Sequence, residues 1–408
     1  MNHTQKAIAV ILATGVDERL APLTADRPKA AVPFGGSYRV IDFTLSNCLH
    51  SGLRRVLVLT QYKFHSLQKH LRDGWSVFNP ELGEFVTLVP PQMRTGESWY
   101  QGTADAVFQN LYLLERSNAE WVVVLMGDHI YRMDYAEMLR AHAEKKADVT
   151  LACIELERRA AKDHMLVSVN ANEQVRAVEK VGEVPNSATA GAVTVPVSMG
   201  VFIFSREVLL AALRADHDDQ NSHHDFSEDV LPRLVRQKSV YAYRFGGEKG
   251  RVSPDRYWRD VNTLDEYYAA NMDLLKPVPP LNLYQADWPL RTALAQYPPA
   301  RTVSGASGGE GIAINSIVAP GVIISGGSVQ ESILCNNVFV DDESIVERSI
   351  LFDGVRVGRG VRLSRCIVDK GVHIPDGERI GIDINQDRAR FTVTESGVVA
   401  VPRLYKFG

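Results

Sequence analysis

Across the first two-thirds of the chain, short apolar runs alternate with longer segments whose apolar positions return every three or four residues. The runs AIAVILA (7–13), VLVLT (56–60), WVVVLM (121–126), VTLACI (149–154), VRAVEK (175–180) and MGVFIF (199–204) read as strands. Most are apolar almost throughout, as strands covered on both faces are. Between them, residues 41–50 read as a helix closed by Ser51-Gly52, a good C-terminal stop. TADAVFQNLYLLE (103–115) has helical spacing, and DYAEMLRAHAEKK (134–146) is strongly amphipathic. This alternation predicts an α/β, Rossmann-like domain over residues 1–275, with a mostly parallel sheet beneath helices.

The texture changes at Lys276. Residues 276–310 are rich in proline and then glycine (KPVPPLNLYQADWPL, YPPA, SGASGGEG) and read as a linker lying on the surface. Over 311–408 the helical period disappears and aliphatics recur every six residues: Ile317, Ile323, Val329; Val340, Val346, Phe352; Val355, Val361, Ile367. That period predicts a left-handed parallel β-helix with these residues pointing into its core. The phase slips between runs, which predicts coils carrying insertions. A meandering β-sandwich is the alternative.

Composition narrows the functional classes. The net charge is −4 and no basic run occurs, which argues against nucleic acid as a partner. Cys48, Cys153, Cys335 and Cys366 are scattered without a CxxC pair, so neither a zinc ribbon nor a disulfide framework is expected. The longest early apolar run, 7–13, is too short to span a bilayer, and no membrane association is expected. The cytoplasm is the default compartment.

Four places could carry chemistry. After the first strand, LATGVDERLAPLTADRPKAAVPFGG sets Gly15, Arg19 and Lys29 in a loop at the carboxyl edge of the sheet, where open α/β folds bind ligands. Arg19 and Lys29 suit phosphate oxygens, although solvated surface cations are the plainer reading. SWYQGTADAV (98–107) places Tyr100 and Gly102 before a helix that Thr103 could cap, with its N-terminus turned to a ligand. In VVVLMGDHIYRMDY, Asp128 follows a buried strand and a glycine and makes a good Mg²⁺ ligand, with Asp260 of YWRDVNT as a distant second. Glu179 and Lys180 end a strand and suit a sugar hydroxyl and a sugar phosphate, with a surface ion pair as the alternative. His223-His224-Asp225 reads as a helix start capped by Asp225 or Ser227, not as a metal cluster.

Taken together, PLTADRPKAAVPFGGSYRVIDFTLSNCLHSG, VLTQYKFHSL, SWYQGTADAV, GDHIYRMDY, SMGVFIF, SHHDFSEDVLP, YWRDVNT, DWPLRT and LSRCIVD strongly resemble the bacterial glucose-1-phosphate adenylyltransferase family over nearly the whole chain. The resemblance implies that ATP and glucose 1-phosphate give ADP-glucose and pyrophosphate for glycogen synthesis. The sugar phosphate attacks the α-phosphorus in line, and the protein supplies positioning and charge. By position, Asp128 and Asp260 match metal (Mg²⁺) carboxylates, Arg19 and Lys29 match triphosphate cations, and Tyr100, Glu179, Lys180 and Ser198 match contacts to the sugar phosphate. The family is typically a metabolite-regulated homotetramer. Arg27, Arg39 and Arg365 match effector-binding arginines, whereas the activator lysine of enteric members is Asp26 here.

The first loop departs from the family. Where the pattern is close to L-A-G-G-x-G-[TS]-R-L, this chain reads L-A-T-G-V-D-E-R-L, so Thr14 and Asp17 replace glycines and Glu18 replaces a small hydroxyl residue. Each added carboxylate about 4 Å from a phosphate charge costs about 1 kcal/mol in water and about 4 kcal/mol at an effective dielectric near 20. The expectation is roughly a tenfold to several-hundredfold loss of ATP affinity. At the sugar end a phenylalanine-glycine pair is replaced around His164-Met165, and the proline after Glu179-Lys180 is Val181. These departures raise an alternative: a catalytically weakened regulatory subunit that assembles with an active paralogue. For the β-helix, assembly is favoured over acyl transfer, for which His373 is the one candidate.

Overall fold

The computed structural model describes residues 3–15, 18–92, 99–180, 193–247, 252 and 255–408. Asp17 and Val181, two of the departures above, lie outside the described residues, as does Ser98.

The N-terminal domain is a nine-stranded sheet. Strands β1 (Ala7–Ala13), β4 (Arg55–Thr60), β5 (Phe85–Val89) and β6 (Trp121–Met126) form its parallel part, in the order β6-β1-β4-β5. A short hairpin, β2 (Pro33–Phe34) and β3 (Tyr38–Arg39), and a two-stranded ribbon that includes β7 (His129–Tyr131) stand apart. Beyond β6, the long strand β11 (Thr194–Ser205) enters antiparallel and joins β8 (Val149–Glu157), β9 (Met165–Val169) and β10 (Val175–Lys180). Strand β12 (Val240–Arg244) lies parallel to β8, and β13 (Trp258–Asp260) pairs with β7.

Every residue of β1 is buried because both faces of the sheet are covered. Alternate side chains go to opposite faces. Ala7, Ala9 and Ile11 pack with α1 (Ile41–Ser51) and α5 (Tyr135–Lys145). Ile8, Val10 and Leu12 pack with α3 (Thr103–Phe108), α6 (Arg206–His217) and α7 (Leu231–Gln237). The other α-helices of this domain among the described residues are α2 (His65–Gly74), α4 (Leu111–Arg116) and α8 (Leu264–Asp273). Helix α5 is capped by Asp134, whose side chain accepts from the Ala136 amide.

The helix expected over 103–115 is two helices, and the break has a local cause. Asn110 Nδ2 donates to the Ala106 carbonyl, the acceptor that its own backbone amide would use in an α-helix. The amide turns instead to Val107, and the helix restarts as α4. Thr103 is the first residue of α3 rather than its cap, and the amides of Ala104 and Asp105 donate to the His224 carbonyl. That helix end faces protein backbone, not a ligand. A side chain at Gly102 would put Cβ 2.3 Å from the His224 oxygen, so this close approach requires glycine.

The C-terminal domain is the expected β-helix, with three parallel sheets stacked coil on coil. Its first strand, Arg301–Val303, already pairs with Ile323–Ser325. The register Ile333–Ile350–Ile367 makes a coil 17 residues long. Three six-residue sides would give about 18 residues. Coils in this register are therefore one residue short, and the first, Ile317 to Ile333, is shorter still. The coils at the two ends carry insertions, with paired strands 22 residues apart at Arg301–Ile323 and 33 apart at Cys366–Val399. Both departures shift the sequence phase. The corners show the short register directly: Glu331, Asn337, Glu343, then Arg348, Gly354, Gly360, then Arg365, Gly371, Gly377 all adopt positive φ.

The inward rungs are Val329, Val346 and Leu363; Leu334, Leu351 and Val368; and Val340, Val357 and Ile374. Phe352 and Ile367, expected in that core, point the other way. With Ile333 and Ile350 they pack against Phe34, Phe43, Tyr267 and Tyr268 of the N-terminal domain. One side of the prism is therefore apolar on both faces, which is why SILC, SILF and RCIV lose the alternation that the other sides keep. The two domains share this core. The Arg27–Asp369 ion pair, at 2.8 Å, is buried beside it.

Candidate active site

Strands β1 and β6 end side by side at Ala13 and Met126, and the Gly127 amide donates to the Leu12 carbonyl at 2.9 Å. This ties the backbone before Asp128 to the neighbouring strand. Strand β7 then begins and pairs antiparallel with β13, placing His129 opposite Asp260. That three-residue ladder brings together two carboxylates that lie far apart in sequence.

Lys29 sits between them, buried at the start of a 3₁₀ turn. Its Nζ lies 3.0 Å from Asp128 Oδ2 and 3.1 Å from Asp260 Oδ1, and it donates to Asn262 Oδ1 at 2.6 Å. Burial alone would lower the lysine pKa, but the two carboxylates more than offset it, and the pKa stands above the ordinary lysine value. Burial likewise favours a neutral Asp260, yet His129, Lys29 and the hydrogen bond from Asn262 hold its carboxyl down at about 2. His129 Nε2 lies 3.6 Å from Asp260 and 3.8 Å from Asp128. Its Nδ1 is buried without a hydrogen-bond partner among the described residues, and so is Trp258 Nε1.

The two carboxylates suit a hard cation. They are oxygen donors that converge on one positive centre, now the lysine ammonium, and each keeps part of its side chain exposed. Among the described residues no third His, Cys, Asp or Glu joins them to complete a metal cluster. Mg²⁺ is commonly held in this way, by one or two carboxylates with water and substrate phosphates filling the other positions.

In front of this cluster lies a cavity of about 270 Å³ whose lining includes Asp128, His129, His164, Lys180, Ser198 and Asp260. Ser198 reaches it through a register shift in β11 between Ser198 and Phe202, a bulge that re-aims the strand. Gly200, with φ +68°, makes the bend. Lys180 lies across from Met165 in the β9–β10 ladder, which puts His164 beside it. The imidazoles of His129 and His164 both meet the Trp258 indole, each with 5.2 Å between ring centroids.

Other sequence candidates do not line this cavity. Glu179 and Lys180 are adjacent in a strand, so their side chains leave on opposite faces, and only Lys180 faces the cavity. Tyr100 is buried, its hydroxyl accepting from Asn110 Nδ2 and its amide donating to Gln61. Gly15, Glu18 and Arg19 are exposed on the turn after β1. Asp225 caps the turn Phe226–Val230, accepting from the Ser227 and Glu228 amides, as the helix-start reading expects. His224 pairs with Asp216 at 2.9 Å.

Sequence reasoning passed over His129, Asn262, Trp258 and Glu228 as site residues. All four lie inside quoted motifs, and their adjacency to Asp128, Asp260 and Asp225 was the available signal. Between the domains lies a second cavity, of about 370 Å³, whose lining includes Arg27, Arg39, Lys69, Lys370 and Arg403. Arg365 stands elsewhere, over the Tyr268 ring and donating to the Ser396 carbonyl.

A family model described as nucleotidyl transferase matches residues 8–277, and one described as GlmU-like, C-terminal hexapeptide, matches residues 298–401. The chain is 56% identical over 407 residues to "Glucose-1-phosphate adenylyltransferase 2" of Vibrio cholerae, covering 99% of both chains. It is 57% identical over 404 residues to the protein of the same name in Vibrio parahaemolyticus, covering 99% of this chain and 100% of that one. A glucose-1-phosphate adenylyltransferase of Koribacter versatilis is 46% identical over 402 residues, covering 98% and 96%. No helix among the described residues is long and apolar enough to cross a membrane.

Proposed function

The chain belongs to the glucose-1-phosphate adenylyltransferases, and from that premise we propose that it transfers the adenylyl group of ATP to glucose 1-phosphate, releasing pyrophosphate. The observation that carries this reading is the Lys29–Asp128–Asp260 cluster at the carboxyl ends of β1 and β6, with Lys180 and Ser198 across the adjoining cavity. A phosphate oxygen of the sugar forms the new bond to the α-phosphorus, and the bond from that phosphorus to the pyrophosphate oxygen breaks. No protein nucleophile is required.

In this reading Asp128 and Asp260 hold Mg²⁺, which when bound neutralises triphosphate charge. Lys29 fixes the two carboxylates and supplies positive charge behind them. Arg19 and Gly15 serve the triphosphate end. Lys180 takes the sugar phosphate and Ser198 a sugar hydroxyl. Tyr100 and Gly102 act from behind the cavity by fixing the chain before α3, and Glu179, on the opposite face of β10, has no part in it. The cations of the interdomain cavity, Arg27 and Arg39 among them, form an effector site for anionic metabolites, with Arg365 bracing α8 from outside it. The active form is a homotetramer in the cytoplasm. A non-catalytic partner subunit would be expected to lose its metal carboxylates before its scaffold, and both carboxylates are present. The test is pyrophosphate release that requires ATP, glucose 1-phosphate and Mg²⁺ together. Release without the sugar phosphate would point to a different acceptor.

A further inference from the structure

Lys180 already holds an anion. Its ammonium lies 2.7 Å from Glu228 Oε1. The two side chains come from different elements, Lys180 from the end of β10 and Glu228 from the turn that Asp225 caps, and both line the sugar-end cavity. The pair sits at the wet mouth of that cavity, with the lysine side chain 47% and the glutamate side chain 39% exposed.

The cavity around this pair is acidic. Besides Glu228, its lining includes Asp128, Asp163, Asp225 and Asp260, and among the described residues Lys180 is its one lysine or arginine. Asp225 is committed to the Ser227 and Glu228 amides and to the Thr103 hydroxyl, which fixes the turn and keeps Glu228 close. An incoming phosphate therefore meets a lysine occupied by a carboxylate whose backbone cannot retreat far.

We infer that Glu228 sets the affinity for the sugar phosphate, as a built-in anion that competes with it for Lys180. The inference rests on the assignment of Lys180 to the sugar phosphate. An exposed ion pair is weak, so the competition is modest and removing it gains about two- to fivefold in affinity. Being electrostatic and partly exposed, the gain shrinks as ionic strength rises. The opposite role, in which Glu228 accepts a hydrogen bond from a sugar hydroxyl, reverses the sign of the effect.

Titration calorimetry with glucose 1-phosphate, in the presence of Mg²⁺ and a non-hydrolysable ATP analogue, separates these roles without depending on turnover. Glu228→Gln is expected to lower the Kd about two- to fivefold at low salt and by less at high salt. Lys180→Gln is expected to raise the Kd about tenfold or more, and in that background Glu228→Gln no longer improves binding. An unchanged or raised Kd in Glu228→Gln, with Lys180→Gln still weakened, overturns the role of Glu228. An unchanged Kd in Lys180→Gln overturns the assignment of Lys180 itself.

Discussion

At the end of the site that holds Lys29, Asp128 and Asp260, each functional group is fixed by a second element, whereas at the end formed by Gly15, Glu18 and Arg19 the residues lie exposed on a short turn. Asp128 is held by the Gly127–Leu12 hydrogen bond, Asp260 by the ladder to His129 and by Asn262, and Lys29 by all three acceptors. A substitution in that cluster leaves a charge without its partner. On the turn, a side chain can change without disturbing the sheet beneath it. This difference accounts for the departures in the first loop. Thr14 and Glu18 fall at the open end, and the cluster keeps its charged residues, although His164, a further departure, packs on Trp258 beside it. The account therefore assigns the chemistry to the cluster and the nucleotide affinity to the turn.

The largest effect comes from breaking the fixed end. Lys29→Met leaves two carboxylates facing each other, and turnover is expected to fall about a hundredfold or more. Stability should fall by about 2–3 kcal/mol, less than for a fully buried pair because both carboxylates keep some exposure. Mg²⁺ should then raise the melting temperature of this variant more than that of the unsubstituted protein. Equal shifts would mean that the carboxylates do not share an ion.

Restoring the open end has a smaller effect. The combined change Thr14→Gly, Asp17→Gly and Glu18→Ser is expected to lower the KM for ATP about tenfold or more, with little change in melting temperature. If the KM stays put while stability falls, the turn is a structural element and the contrast between the ends is wrong.

A smaller effect again separates the ends by pH. Asp260 has its carboxyl pKa depressed to about 2, so its ionised form contributes stability that is complete above the usual aspartate value near 4 and is lost as pH falls through about 2. The gap in melting temperature between the protein and Asp260→Asn should therefore hold constant from pH 7 to about 4.5 and close only below that. A gap that closes between pH 6 and 5 would show that the cluster does not hold Asp260 ionised.

Much of the architecture could be read from the residues alone, for physical reasons. Strands buried on both faces leave continuous apolar runs such as AIAVILA, and a prism with one inward residue per side leaves a near-six-residue period. A missing residue and an added one both shift the phase, so the period alone does not separate the short central coils from the end coils that carry insertions. The docking face of the β-helix was visible as paired aliphatics at Ile333-Leu334 and Ile350-Leu351, but only the tertiary contact says which of each pair faces the N-terminal domain. The candidate site was legible as separate motifs. Its assembly was not, because the pairing of β7 with β13 is a long-range contact that leaves no local periodicity. The break at Asn110 and the Lys180–Glu228 pair depend on where one side chain points, which composition and spacing do not encode.

The measurement closest to the central claim is Mg²⁺-dependent pyrophosphate release from ATP and glucose 1-phosphate, run on the unsubstituted protein and on Asp128→Ala. The account predicts release that needs both substrates and falls about a hundredfold or more in the variant. No release from well-folded protein at saturating substrates, or equal release from Asp128→Ala, would contradict it.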